Sequence, residues 1–185
     1  VDGSLRAPGG TLAFTAYNLS PYKTAIQVAL DNLTPQPVIN PDDGTIRVSA
    51  TTRLDVSGLL TDDRIDASSG SVARPVVADG GKIRLVGYNV LLDPGSVLDV
   101  SGGVSVNPAG KYAYGDAGSI TIAAGQDVTY SSVLGGRLAL GATLRGFAGK
   151  GAEGGTLSVK APLIQVGGAA LHPSSLVLDP SFFSQ

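Results

Sequence analysis

The chain has 185 residues, a formal net charge of −2 and no cysteine. Its basic residues stand singly, with no row to neutralise phosphates, which excludes nucleic acid as a natural partner; the absence of thiols removes disulfides and zinc–thiolate sites. Hydrophobic residues at 43%, charged residues at only 15% and 26 glycines describe a chain that folds, as one domain over 1–185, in strands and tight turns.

Taken in chain order, the sequence opens on Val1-Asp-Gly-Ser-Leu, in mid-pattern and without a basic-then-apolar leader, and reads as a segment of a larger protein. GTLAFTA (10–16) is the first of five segments of one design: glycine, a small or polar residue, Leu or Ile, any residue, a second apolar residue, any residue, then Ala or Gly. Apolar residues two apart predict a strand with one face buried. Ser20–Leu33 is the one helical candidate, with Ser20 as N-cap and Pro21 in the first turn, yet Ile26, Val28 and Leu30 alternate as in a strand. Thr11–Leu33 is the expected cap.

GTIRVSA (44–50) repeats the design, and LDVSG follows at Leu54–Gly58. The acidic cluster Asp62, Asp63, Asp66 with Arg64 comes next. GKIRLVG (81–87) leads into VLLD (90–93) and a second LDVSG at Leu98–Gly102. Val104–Ala117 reads as a long loop carrying Tyr112 and Tyr114. GSITIAA (118–124) and GTLSVKA (155–161) complete the series, and LVLDPS (176–181) ends in a proline turn.

Gly44, Gly81, Gly118 and Gly155 are 37 residues apart each time, and Gly10 precedes Gly44 by 34. A period in that range predicts a solenoid, propeller or array. Helical repeats would need long stretches with few glycines, and propeller blades would need more aromatic residues than the 5% present. The predicted fold is therefore all-β, a right-handed parallel β-helix of about five Gly-led repeats, each lap being one turn or two shorter ones. Five starts stacked at ~4.8 Å give a rod about 24 Å long. In that frame LDVSG is a portable strand-and-turn unit, with Leu and Val inward, Asp and Ser outward. Asp55 and Asp99 are then repeated architecture and not a catalytic pair.

No catalytic residue, metal site or cofactor is expected. Gly149–Gly154 has the form GxGxxG but opens a strand where a dinucleotide site requires a helix. His172 is the one histidine, and no GxSxG turn accompanies it. Carboxylate clusters leave calcium open in principle, but none matches a known calcium loop. The binding candidates are Tyr112 and Tyr114, with Asp62 and Asp63 as the acids a polysaccharide lyase or hydrolase would need. A non-catalytic carbohydrate-binding module is the other alternative. No apolar run approaches the ~20 residues that span a bilayer.

LDVSGG (98–103), AGSITIAAGQDV (117–128) and GGTLSVKAPLIQVGG (154–168) resemble the filamentous haemagglutinin-like exoproteins, adhesins of Gram-negative bacteria exported by two-partner secretion. The resemblance covers most of Gly44–Gly168 and rests on repeat style. It implies a secreted, cell-surface β-helical shaft whose loops contact a receptor, other bacteria or matrix polysaccharide, and an outer-membrane secretion partner for the parent protein. NPAG (107–110) departs from the asparagine–proline motifs of the family's secretion domain, so the segment reads as a stretch further along the rod. Bare strand edges at its ends predict end-to-end self-association wherever no cap covers them.

Overall fold

A computed structural model describes residues 1–16, 40, 42–64, 79–125 and 135–183. The described residues are all-β with parallel sheets, apart from a 3-10 turn at Pro180–Phe183. The strands are β1 Ser4–Arg6, β2 Thr11–Thr15, β3 Thr45–Val48, β4 Arg53–Asp55, β5 Leu60–Asp62, β6 Lys82–Val86, β7 Asn89–Leu92 and β8 Val97–Asp99. They continue with β9 Val104–Val106, β10 Tyr112–Tyr114, β11 Ser119–Ala123, β12 Leu138–Leu140, β13 Thr143–Arg145, β14 Thr156–Lys160, β15 Leu163–Val166 and β16 Ser175–Leu178.

Three parallel sheets carry the core. Sheet A has the order β1-β4-β8-β13, sheet B β2-β6-β11-β14 and sheet C β3-β7-β12. The chain passes B, C and A in that order three times, so each inner strand pairs with its counterparts in the passes before and after, and each edge strand with one of them. Alternation decides which side chains turn inward. Ile46 and Val48 of β3, Ile83 and Leu85 of β6, Val90 and Leu92 of β7, and Ile120 and Ile122 of β11 are buried, with Arg47, Lys82 and Arg84 between them exposed.

In-register pairing turns this alternation into rows. Leu12, Ile83, Ile120 and Leu157 stack on sheet B, and Leu5, Leu54, Leu98 and Leu144 stack on sheet A. The middle members are fully buried and the outer ones are not. Each fully buried Leu, Ile or Val contributes about 1.5–3 kcal/mol through the hydrophobic effect, so the inner members of these rows contribute more stabilisation than the outer ones.

Four of the five Gly-led strands stack as predicted, those after Gly10, Gly81, Gly118 and Gly155. The fifth, after Gly44, belongs to sheet C and pairs with β7. Its interval of 37 residues to Gly81 is thus not a lap. On sheet B the glycines themselves touch: the carbonyl of Gly10 accepts from Lys82 N at 2.8 Å, and that of Gly81 from Ser119 N at 3.1 Å. A Cβ at Gly118 would overlap the Gly81 carbonyl oxygen. That close approach is why the position reads glycine.

Of the expected cap, Thr11–Thr15 forms β2 at the edge of sheet B; Ser20–Leu33, with its helical candidate, lies outside the described residues. At the other end β15 and β16 form a parallel pair, β16 lies against β12, and Leu176 is buried in the core. No helix among the described residues is long and apolar enough to cross a membrane.

Candidate functional site

Two places gather charged and aromatic side chains. The first is the outer face of sheet A, where the second residues of the repeated Leu-Asp steps come together. Asp55 and Asp99 are direct partners on β4 and β8, Arg6 pairs with Asp55 on one side, and Arg145 with Asp99 on the other. The row therefore reads Arg6, Asp55, Asp99, Arg145. Both carboxylates are outward in alternation but buried, at 9% and 6% exposure, where the sequence predicts solvated acids. The guanidinium groups of Arg6, Arg53 and Arg145 lie beside them.

The packing explains how two carboxylates tolerate adjacent places. Asp55 Oδ2 lies 3.8 Å from Arg6 Nε and 3.6 Å from Arg53 Nε. Asp99 Oδ2 lies 3.3 Å from Arg53 Nη2 and 3.8 Å from Arg145 Nη1. The opposite oxygens close local turns. Asp55 Oδ1 accepts from Ser57 N at 3.0 Å and from Ser57 Oγ at 2.6 Å, and Asp99 Oδ1 accepts from Ser101 N at 3.1 Å. Burial pushes the Asp55 carboxyl up, but the Ser57 hydroxyl and amide, then Arg53 and Arg6, outweigh it and hold the group below the ordinary carboxylate range. Such an acid is a charged structural anchor. Sequence reading found the two identical LDVSG units and missed the outer members of the row, because SLRAP (4–8) and TLRGF (143–147) carry Arg where the inner units carry Asp.

The second place is sheet D, order β5-β9-β10. The predicted loop Val104–Ala117 is in fact a hairpin: β9 and β10 pair antiparallel, with Val106 opposite Tyr112 and Val104 opposite Tyr114. Asn107 fixes its turn, since its Oδ1 accepts from Ala109 N and Lys111 N at 3.0 and 2.9 Å. β5 adds to the other side of β9 in parallel, with Leu60 opposite Val104 and Asp62 opposite Val106. Partners share a face, so Tyr112, Val106 and Asp62 form one cross-strand row and Tyr114, Val104 and Leu60 the next.

Three of the four predicted binding residues, Tyr112, Tyr114 and Asp62, thus meet on one surface. The tyrosine rings lie 6.4 Å apart with 15° between their planes. They are 55% and 41% exposed, and Leu60 is 77% exposed. Gly149 packs its backbone on the Tyr114 ring, where any Cβ would overlap. Arg64 clasps Asp62, with Nη2 to Oδ2 at 2.5 Å and Nε to Oδ1 at 2.9 Å. The Arg64 hydrogen bonds hold the Asp62 carboxyl below its ordinary range, and the same pairing raises Arg64. Asp63, the fourth predicted residue, alternates to the other side; its Oδ1 and Thr61 Oγ1 are buried without a hydrogen-bond partner among the described residues. Asp66 lies outside the described residues.

The remaining candidates stay apart from both places. His172 belongs to a turn, its Nδ1 accepting from Ser174 N at 3.1 Å. Gly149–Gly154 runs into β14 and no helix follows it. An open hollow of about 840 Å³ beside the C-terminal segment is lined mainly by Ile120, Leu144, Leu157, Leu176 and Phe182, with Asp179 its single carboxylate. Among the described residues no three His, Cys, Asp or Glu side chains converge as a metal ligand set. Compared with protein-family models, characterised proteins and solved structures, the chain matches none.

Proposed function

We propose that the chain is a length of right-handed parallel β-helix from a secreted adhesin on the surface of a Gram-negative bacterium, with a structural and binding role. The observation that carries this reading is the fixed cycle through sheets B, C and A, with aliphatic rows between them. A winding of that kind is stiff along its axis, because each lap is hydrogen-bonded to the next, and it lends its outer turns to contact. The repeated acids support the same reading. Asp55 and Asp99 are engaged by arginines and their own turns, and a glycosidase or lyase needs acids free to reach a substrate. The outer-membrane secretion partner and end-to-end association belong to this proposal as properties of the parent rod.

The test is attachment. Beads coated with the purified segment are offered to epithelial cells, to bacteria and to extracted matrix polysaccharide, while a panel of polysaccharides is assayed for new reducing or unsaturated ends. Saturable attachment without product is the expected result. Product release that disappears in Asp63→Ala would replace the adhesin by a polysaccharide-active enzyme.

A further inference from the structure

We infer that the outer face of sheet B is a docking surface for a polysaccharide of uronic acids, with Lys82 and Arg84 as its anchors. The inference deepens the adhesin reading by naming a ligand class, and it rests on that reading only for its biological setting.

The arginines on the strands of sheets A and C have acids beside them. Arg6, Arg53 and Arg145 are held by Asp55 and Asp99, and Arg47 by Asp93. Lys82 and Arg84 on sheet B differ: both are exposed, and neither has an ion pair among the described residues. They stand two residues apart on β6, so they share one face about 6.6 Å apart along the strand. Lys82 lies between Thr11 and Ser119, and Arg84 between Ala13 and Thr121. These neighbours are short, so the two cations rise from a flat floor of hydroxyls and methyls. No outward residue of sheet B is a carboxylate or an aromatic ring, and Lys160 adds a third cation on β14. Basic residues that stand singly along the sequence are thus gathered by the winding.

Charge selects the ligand. Two like charges side by side without a counter-charge, in a chain of net charge −2, mark a local preference for an anion. The floor decides its kind, because Thr11, Ser119 and Thr121 offer sugar hydroxyls both donors and acceptors. Single-stranded nucleic acid needs aromatic rings under its bases, and a membrane needs large exposed apolar side chains; this face has neither. An acidic peptide adding as a strand needs a free edge, and β6 is paired on both sides. Charge density separates uronates from heavily sulfated chains. Asp79 and Asp116 border the face where the strands begin, their Oδ1 atoms accepting from Asp116 N at 3.0 Å and Glu153 N at 2.8 Å. A densely charged chain would lie against those acids, whereas spaced carboxylates can be met by Lys82 and Arg84 alone.

The experiment is calorimetric titration with a galacturonate hexamer, with xylohexaose, a heparin hexasaccharide, hexaglutamate and hexathymidylate as the competing arms. Saturable binding of the galacturonate is expected, and it should fall as salt rises. Lys82→Ala/Arg84→Ala should weaken it about tenfold or more, while Lys82→Arg, which keeps the charge, should stay within about threefold. Lys111→Ala removes a cation from the distant hairpin turn and should leave the affinity unchanged, which separates this face from net charge. Circular dichroism shows whether each variant keeps its strands, and Arg84→Gln keeps the test decisive if the double Ala variant unfolds: undiminished binding there overturns the anchoring role. Absence of galacturonate binding, equal binding of xylohexaose, or affinity that survives double Ala would also overturn the inference. So would tighter capture of heparin, hexaglutamate or hexathymidylate. Attachment to cells without galacturonate binding would sink this site and leave the adhesin reading standing; galacturonate binding without attachment to cells, bacteria or matrix would do the reverse.

Discussion

Asp55 and Asp99 are direct neighbours on adjacent parallel strands, and the Arg53 guanidinium reaches both, at 3.6 Å and 3.3 Å. Two like charges in a buried row are destabilising unless a cation spans them. Arg53 does so from the non-repeated residue just before the first LDVSG.

Removing that bridge should therefore cost stability out of proportion to the arginine's exposed position. Arg53→Ala is expected to lower unfolding free energy by about 1–2 kcal/mol, less than for a wholly buried pair, since Arg6 and Arg145 each still hold one carboxylate. Arg53→Lys should recover only part, because a point charge cannot fork toward both acids. Urea midpoints at constant m-value would measure the differences.

Acid should act through Asp55. Its folded carboxyl lies below the ordinary range, so the unfolded chain takes up the proton first as pH falls. The stabilisation is fully present above the ordinary carboxylate range, near pH 4, and fades as pH drops through the lower folded value. Asp55→Asn should be less stable than the parent at neutral pH and should show a flatter loss of stability below about pH 4, read from denaturation midpoints across the acid range.

Position along the rows should grade the cost of a cavity. Leu98→Ala, in the buried centre of the sheet A row, is expected to destabilise by about 2–5 kcal/mol. Leu5→Ala, at the half-exposed end of the same row, should cost less than about 1 kcal/mol. Equal losses from calorimetry or urea titration would mean that the two leucines do not share one graded core.

The glycine column gives a sharper contrast. Gly118→Ala places a methyl on the Gly81 carbonyl oxygen and should cost about 2–3 kcal/mol. Gly154→Ala meets nothing within 4 Å and should be neutral or slightly stabilising through the unfolded chain. Thermal unfolding of the two single variants would check the pair.

How far the sequence could be read is clear from particular residues. Alternation at Ile83 and Leu85, or at Ile120 and Ile122, announces which face is buried, because a strand has only two faces. Alternation does not announce which strand lies alongside. Hence the Gly44 segment looks like a member of the glycine column, yet it pairs in another sheet. At the candidate site the tyrosines were legible and their hairpin was not, although Asn107-Pro-Ala-Gly110 is a turn sequence. That Asp62 would share a row with Tyr112 depends on β5 adding to β9, a pairing between distant segments that no local pattern encodes. Asp63 shows the same limit, since nothing local tells which of two adjacent acids faces outward.

Thr11 and Ser119 are both in-register partners of Lys82, yet the chain travels nearly twice as far from Thr11 to Lys82 as from Lys82 to Ser119. The stacking interface is indifferent to how much polypeptide is spooled out between contacts. Lengthening or exchanging an excursion should leave the sheet B ladder intact, so variety can accumulate between the strands while their pairing is kept.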